Sequence, residues 1–194
     1  MCKTVLLTND DARRRSAEEF IKDTYAARYG ARLETFPSRI IALLDHRDAI
    51  LCAAGLRFLD DGFFSERYLD APIEDVVSAM SASAVTRSAI FEVTTLASRA
   101  PLATAEFITE IGNFGEKAGF DWSFFTLTHR LHLMVSRLGI AATFLGEADR
   151  GRIADSERWG TYYACQPRVY AVASRRLKAS RGGFQSGKRY ATAI

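Results

Sequence analysis

Apolar and polar positions along the chain follow the two periods that strands and helices require. Short apolar or alternating runs predict strands at Lys3–Thr8, Arg39–Asp45, Ala49–Leu59, Ala89–Ala97, Trp122–Thr128 and Ile140–Leu145. Further strand segments are predicted near the end of the chain, at Tyr162–Cys165 and Val169–Ala173. Helical spacing predicts helices that begin at the Ser16–Glu19 capping box, at Asp70–Pro72, near Leu102 and at His129. The predicted element order is therefore β-α-β-β-α-β-α-β-α-β-β.

This order predicts an α/β (α+β) fold, with a mixed central sheet and helices on both faces. The turn at His46–Asp48 joins two strands into a hairpin, and the later strands alternate with helices. We expect a single domain over residues 1–174 and a basic C-terminal extension over residues 175–194. The order resembles that of GNAT-superfamily acyltransferases, and acyl-homoserine-lactone synthases share the same architecture.

Charge is distributed unevenly along the 194 residues. Residues 1–157 contain 18 basic and 23 acidic residues, whereas the last 37 residues contain eight basic residues and no acidic one. Because the body is net negative, a nucleic-acid-binding function is not expected. The basic end is either a solvated tail or a dock for an acidic partner, such as a carrier protein, a nucleotide phosphate or an anionic lipid.

Composition limits the class of chain, its expected cellular location and its capacity to bind a metal. The 22 aromatic residues and the net charge of +3 exclude a disordered chain. Three cysteines without metal-type spacing argue against a disulfide framework, and no signal peptide or bilayer-spanning run is visible, so a cytoplasmic protein is expected. His129 and His132 are three residues apart but lack a third ligand at metal spacing, and we expect no metal site.

One carboxylate stands inside a strand predicted to be buried. Glu92 lies between Phe91 and Val93, so it must either pair with a cation or have a raised pKa. A carboxyl in such surroundings is suited to act as a general base toward an amine. The alternative interpretation is a structural ion pair with Arg57 or Arg87.

An aromatic loop precedes the second predicted helix. Phe63, Phe64 and Tyr68 either cap the core or line an apolar substrate channel, and Glu66 adds a polar group beside them. Just before this loop, a Gly-Leu-Arg sequence ends a hairpin strand at Arg57. Glycine allows close approach of a ligand there and arginine can hold an anion, although a bulge with a surface arginine would give the same pattern.

A second aromatic motif is found at Trp159–Tyr163. In an extended segment Tyr162 and Tyr163 would point to opposite faces. One ring could then pack in the core while the other presents a phenol that protonates a departing thiolate. Packing of both rings is the alternative.

Seven motifs, taken together and in order, resemble the thermostable hemolysin family. They are Gly55–Arg57, Phe64–Asp70, Arg87 with Glu92–Ala97, Phe125–Thr128, Arg137–Gly139, Ala148–Asp149 and Trp159–Tyr163 with Pro167, and they cover about residues 15–173. The chain departs from the family pattern at Thr94-Thr95, where a Gly-Asn type of pair is usual.

The resemblance implies a GNAT-like enzyme that uses an activated acyl group. The pyrophosphate loop of GNAT acetyltransferases would fall at Arg99–Thr104, which keeps the arginine and lacks both glycines. Leu96, Arg99 and Thr104 are then the residues expected to bind the acyl donor or its phosphate, next to a helix N-terminus that favours an anion. The donor would be acyl-CoA or acyl carrier protein, each of which presents a phosphopantetheine thioester.

The expected function is N-acyl transfer from a thioester to a small amine-bearing metabolite such as an amino acid. Glu92 would take the amine proton, Tyr162 or Tyr163 would protonate the thiolate, and Arg57 or Arg87 would hold a carboxylate. The further substrate-binding candidates are Phe63, Phe64, Glu66, Tyr68, Trp122 and Phe124. Two alternatives stay open: a membrane-active cytolysin, as the family name describes, and a non-catalytic GNAT-like binding module.

Overall fold

The computed structural model describes residues 2–81 and 83–175, and this part of the chain forms a seven-stranded sheet with four α-helices. The strands are β1 Lys3–Leu7, β2 Arg39–Leu44, β3 Ile50–Arg57, β4 Ile90–Ser98, β5 Trp122–Leu127, β6 Thr143–Glu147 and β7 Arg168–Ala173. The helices are α1 Arg14–Tyr29, α2 Ile73–Ser81, α3 Pro101–Lys117 and α4 His129–Arg137. Apart from Arg175, the predicted basic extension lies outside the described residues.

The sheet has the strand order β1-β2-β3-β4-β5-β7-β6. Strands β4 and β5 are parallel, and every other neighbouring pair is antiparallel. The predicted mixed sheet and its hairpin, β2–β3, are therefore confirmed. The parallel pair lies at the centre of the sheet because α3 carries the chain from the end of β4 back to the start of β5.

Helices cover both faces because the central strands are apolar on both sides. In β2, Ile40 belongs to the cluster that α1 covers, whereas Ile41 packs with Phe107 of α3. In β4, Ile90 packs under α2 and Phe91 packs under α3. Helix α4 joins α3 on the second face. Every second side chain of β4, counted from Ile90, therefore points to the face of α1 and α2.

The capping box predicted at Ser16–Glu19 is wrong, because α1 begins earlier, at Arg14. The Asp11 side chain accepts the backbone N–H of Arg13 at 2.9 Å. The buried guanidinium of Arg14 donates to the carbonyl oxygen of Pro37 at 2.6 Å. These contacts, one of them distant in sequence, fix the start of the helix upstream of the predicted box.

The strand predicted at Tyr162–Cys165 is also wrong, because this segment is a 3₁₀ turn. The backbone N–H of Thr161 donates to the carbonyl oxygen of Tyr29 at 2.8 Å, which ties the segment to the end of α1. Gln166 then takes a φ of 48°, which reverses the chain. Only Arg168–Ala173 joins the sheet from this region.

Strands β4 and β5 separate in the middle of the sheet. Their pairing ends at Val93 and Phe125, although β4 continues to Ser98. Against β3, the register of β4 shifts between Ala53 and Gly55 in the same stretch. The shift bends β4 away from β5, so a gap opens between the two strands.

Candidate active site

Glu92 is fully buried in β4, on the face that carries α1 and α2. Its two carboxyl oxygen atoms accept the backbone N–H groups of Phe64, at 2.6 Å, and Ser65, at 2.7 Å. Burial raises the pKa of Glu92 to about 7, although the hydrogen bonds from Ser65 and Phe64 and the charge of Arg57 act to lower it. This carboxyl can therefore change its protonation state near neutral pH.

Arg87 does not form an ion pair with Glu92. It pairs instead with Glu66 at 2.7 Å and with Glu74 at 2.6 Å, and its guanidinium lies 4.5 Å from the ring centroid of Phe63. The ion-pair interpretation is therefore wrong for Arg87. Its contacts join the aromatic loop to α2, and both Arg87 and Glu66 are already engaged in that cluster.

Arg57 lies opposite Glu92 in the register of β3 and β4. Its guanidinium donates to the backbone carbonyl groups of Asp61, at 3.1 Å, and Gly62, at 3.4 Å. Its Nε is buried and has no hydrogen-bond partner among the residues that the structure describes. Arg57 therefore keeps one buried donor that no described residue satisfies.

The aromatic side chains predicted to bind the substrate differ in burial: some are packed in the core, and one is half-buried. Phe63 meets Phe124 edge-on with ring centroids 5.1 Å apart, in the buried cluster that also holds Trp122. These three rings cap the core beneath α2. Phe64 is half-buried, and its ring centroid lies 5.4 Å from that of Trp159. Phe64 is therefore the one ring of this group that is partly open to a ligand.

Tyr68 and Tyr163 share a hydrogen bond between their hydroxyl oxygen atoms, which are 2.7 Å apart. Burial raises the pKa of both phenols, and the nearby charge of Glu92 adds to the increase at Tyr68. Both phenols therefore remain protonated near neutral pH. Tyr68 lies within electrostatic reach of Glu92, so the aromatic loop, β4 and the Trp159–Tyr163 segment meet at one place.

A cavity of about 190 Å³ occupies the gap between β4 and β5. Apolar side chains of the neighbouring elements form most of its wall, among them Ile108 of α3, Met134 of α4 and Phe125 of β5. Thr126 and Ser123 of β5 add hydroxyl groups to the lining. An apolar cleft with few polar groups is suited to an acyl chain ending in a polar reactive group.

Tyr162 also lines this cavity, where its ring packs against Tyr25, Tyr29 and Trp159. Burial, followed by the charges of the neighbouring tyrosines, raises its pKa well above the ordinary value. The two tyrosines predicted as alternatives therefore differ in position. Tyr162 is a protonated phenol at the cavity wall, whereas Tyr163 is hydrogen-bonded to Tyr68.

Thr95 lies at the wall of the cavity in an unusual backbone conformation. Its φ is 48°, in the left-handed region that a β-branched residue rarely occupies, at a cost of about 1–3 kcal/mol. Its Oγ1 is buried without a hydrogen-bond partner in the described part of the chain. An asparagine at position 95 would hold this left-handed conformation with less strain than threonine does.

The three predicted donor-binding residues are not brought together. Leu96 and Thr104 line the cavity, as expected of residues that lie beyond the point where β4 separates from β5. Arg99 is turned toward α1 instead, where it pairs with Asp23 at 3.5 Å and lies 4.6 Å from the ring centroid of Phe20. Arg99 therefore does not reach the cavity.

Two other cations line the cavity and were missed from the sequence. Arg28 comes from the last turn of α1, and Arg130 comes from the first turn of α4. Both are exposed, and neither forms an ion pair within residues 2–81 and 83–175. No local motif marks them, because only the fold brings the ends of α1 and α4 to the same opening.

Among residues 2–81 and 83–175, no group of three or more His, Cys, Asp or Glu side chains is arranged to hold a metal ion. No helix in that part of the chain is both long and apolar enough to span a membrane.

The chain is similar to known proteins both in sequence and in fold. The family model described as thermostable hemolysin matches residues 7–177. A comparison with curated proteins finds no match. Among solved structures, FeeM, an N-acyl amino acid synthase from uncultured soil microbes, is similar at a TM-score of 0.60 and 16% identity, covering 91% of this chain and 95% of FeeM.

Two further solved structures are acyl-homoserine-lactone synthases. LasI is similar at a TM-score of 0.60 and 8% identity, covering 100% of this chain and 99% of LasI. MesI, a CoA-dependent enzyme, is similar at a TM-score of 0.53 and 13% identity, covering 99% of this chain and 98% of MesI. At these identities the likeness concerns the fold, and the predicted GNAT-like architecture is confirmed.

Proposed function

The chain belongs to the thermostable hemolysin family and has the fold of acyl-transferring synthases, and from this premise we propose that it is an N-acyltransferase. It would move an acyl group from a phosphopantetheine thioester to the amino group of a small metabolite such as an amino acid. One observation carries the proposal: a buried carboxyl with a pKa of about 7 lies on the strand that walls an apolar cavity at the splay of β4 and β5.

In the proposed reaction the thioester carbonyl lies at the splay, with the acyl chain along the apolar wall of the cavity. The amine attacks the carbonyl carbon, a C–N bond forms and the C–S bond breaks. Glu92 removes the proton of the attacking nitrogen, and backbone N–H groups of β4 beyond the paired region stabilise the oxyanion. Tyr162, a phenol at the cavity wall that remains protonated at neutral pH, donates its proton to the thiolate.

The acceptor would approach from the face of the aromatic loop. This side of the site is formed by Phe64, Tyr68 and Tyr163. Tyr68 lies close enough to Glu92 that the charge of the carboxylate raises the pKa of the phenol. Arg57 is better suited than Arg87 to hold a carboxylate of the acceptor, because its Nε lacks a partner while Arg87 already binds two carboxylates. An α-amino acid fits these requirements.

The donor's phosphate groups would be held by Arg28 and Arg130 at the opening of the cavity. Both guanidinium groups are exposed and unpaired among the described residues, so they can bind a phosphate without losing an existing ion pair. Acyl-CoA and acyl carrier protein share the phosphopantetheine arm, so both fit this arrangement. Arg99 is less suited to the role, because its guanidinium contacts Asp23 and Phe20 of α1 and does not line the cavity.

Replacing both Arg28 and Arg130 with glutamine should raise the KM for acyl-CoA by about tenfold, with kcat little changed, because two exposed phosphate contacts are lost. The matched control is Arg99→Gln, which removes one exposed cation that does not line the cavity. The measurement compares acyl-CoA with an acyl-N-acetylcysteamine thioester, which lacks phosphate. An equal rise in KM for both donors would contradict the assignment.

The proposed function is tested by amine-dependent thiol release. The purified protein is mixed with dodecanoyl-CoA and each amino acid in turn, and free CoA is measured with a thiol reagent. We expect release that depends on the amino acid. Release at the same rate without any amine would indicate a thioester hydrolase, and binding without release would favour the non-catalytic module.

The family name also describes lysis of cells, and acyl transfer offers a route to it. A fatty acyl amide of an amino acid is a surfactant, so lysis would come from the product. The protein alone should then leave dye-loaded phosphatidylcholine vesicles intact. Leakage caused by protein without a thioester would support the cytolysin interpretation instead.

A further inference from the structure

The burial of Glu92 raises a difficulty for a general base. Its side chain has no exposed surface, and its two carboxyl oxygen atoms already accept the backbone N–H groups of Phe64 and Ser65. An amine bound in the cavity therefore cannot meet this carboxyl directly without displacing the aromatic loop. If Glu92 is the base, a proton must reach it through another group.

A pair of hydroxyl groups connects Glu92 to the cavity. Thr126 Oγ1 donates a hydrogen bond to Ser65 Oγ at 2.8 Å. Ser65 in turn holds Glu92, since its backbone N–H donates to Oε1 at 2.7 Å and its hydroxyl group also lowers the pKa of the carboxyl. The direction of the Thr126 hydrogen bond leaves the Ser65 proton free to point to Glu92.

Thr126 lies between Ser65 and the cavity. It follows Phe125, the last residue of β5 that pairs with β4, and it lines the cavity at the point where the strands part. Because its own proton is donated to Ser65, its oxygen keeps a lone pair for a donor in the cavity. The Thr126 hydrogen bond thus points from the cavity toward Ser65, whose hydroxyl group acts on the carboxylate.

We infer that the hydroxyl groups of Thr126 and Ser65 relay the proton of the acceptor nitrogen to Glu92. This inference rests on the proposed function. As the C–N bond forms, the N–H proton passes to Thr126 Oγ1, the Thr126 proton passes to Ser65 Oγ, and the Ser65 proton passes to Glu92. Both hydroxyl groups end neutral, and Glu92 ends protonated. The C–S bond breaks and the thiolate takes the proton of Tyr162.

The other groups around Glu92 offer poorer routes. Arg57 on β3 acts on Glu92 through its positive charge, while its guanidinium donates to the backbone carbonyl groups of Asp61 and Gly62. Tyr68 on the aromatic loop is buried and engaged with Tyr163, and its hydroxyl makes no hydrogen bond to Glu92. Ser65 is thus the residue that contacts Glu92 and also contacts a residue of the cavity wall.

The test compares Thr126→Val, which removes the hydroxyl group at constant shape, with Thr126→Ser, which keeps it. Thr143→Val is the matched control, since it makes the same change on β6 at an exposed residue that does not line the cavity. We expect Thr126→Val to lower kcat roughly 10²-fold with the KM for the thioester unchanged, and to remove the rise of kcat/KM with pH near 7. Thr126→Ser should restore both properties, and Thr143→Val should leave both intact.

A Thr126→Val variant with unchanged kcat and pH profile would overturn the relay. A second measurement is independent of turnover: infrared titration of the Glu92 carboxyl band, assigned by its loss in Glu92→Gln. The band should shift in Thr126→Val and return in Thr126→Ser, because Ser65 loses and regains its hydrogen bond. An unshifted band would contradict the hydrogen-bond chain. A shifted band in a protein that transfers no acyl group would count against the proposed function and leave the chain itself supported.

Discussion

Glu92→Gln is expected to lower kcat by roughly 10²–10⁴-fold, the range typical for loss of a general base. The glutamine side chain has nearly the same shape but cannot take a proton from the attacking amine. In the wild type, the pKa of about 7 means that the base is deprotonated only above that pH. The kcat/KM of the wild type should therefore rise with pH up to about 7 and level off above it, and the variant should lack this rise.

The control for this variant must separate lost chemistry from lost structure. Both oxygen atoms of Glu92 accept backbone N–H groups, so an amide places its own NH₂ against one of them and weakens the contact with the aromatic loop. Far-UV and near-UV circular dichroism should be compared with the wild type before kinetics. Glu74→Gln is the matched variant, since it removes a carboxylate that pairs with Arg87 outside the cavity. Unchanged turnover in Glu92→Gln would remove Glu92 from the mechanism.

Gly160→Ala is expected to be the most destabilising single-methyl change in the site region. Gly160 has a φ of 55°, and an added Cβ would lie 2.0 Å from the carbonyl oxygen of Tyr29, which is backbone. That oxygen also accepts the N–H of Thr161, so the turn cannot move aside without losing its anchor to α1. We expect a loss of about 3 kcal/mol or more in the free energy of unfolding.

Thermal unfolding measures this effect directly. For a chain of this size about 3 kcal/mol corresponds to a fall in Tm of roughly 6–12 °C. Gly112→Ala is the matched control, because its Cβ would meet no atom within 4 Å and it lies inside α3. The control should raise stability by about 0.5–1 kcal/mol. A Gly160→Ala protein that melts with the wild type would show that the Trp159–Tyr163 segment is not anchored to α1.

Most of the fold could be predicted because it depends on local patterns. The strand that carries Glu92 and the helix that follows it are fixed by apolar periodicity and by Pro101 at the first helical position. The 3₁₀ turn at Tyr162–Cys165 was missed because its apolar composition is that of a strand. What bends it is the contact between Thr161 and Tyr29, which are far apart in sequence.

The candidate site was predictable only where a residue is unusual for its surroundings. Glu92 stood out as a carboxylate between apolar neighbours, and its burial follows from that position. Its partners could not be predicted, because they are backbone N–H groups of the aromatic loop, and a backbone N–H group does not depend on the residue type. Arg99 matched a motif, but the fold turns it to Asp23.

The central claim is that this protein joins an acyl group to an amine, and isotope transfer tests it most directly. Purified protein is incubated with dodecanoyl-CoA labelled with ¹³C in the acyl chain and with a mixture of amino acids, and the products are identified by mass spectrometry. We predict a labelled N-dodecanoyl amino acid, formed in equal amount to free CoA and formed roughly 10²–10⁴-fold more slowly by Glu92→Gln. Label that remains on CoA, or that appears only as free dodecanoic acid, would contradict the claim.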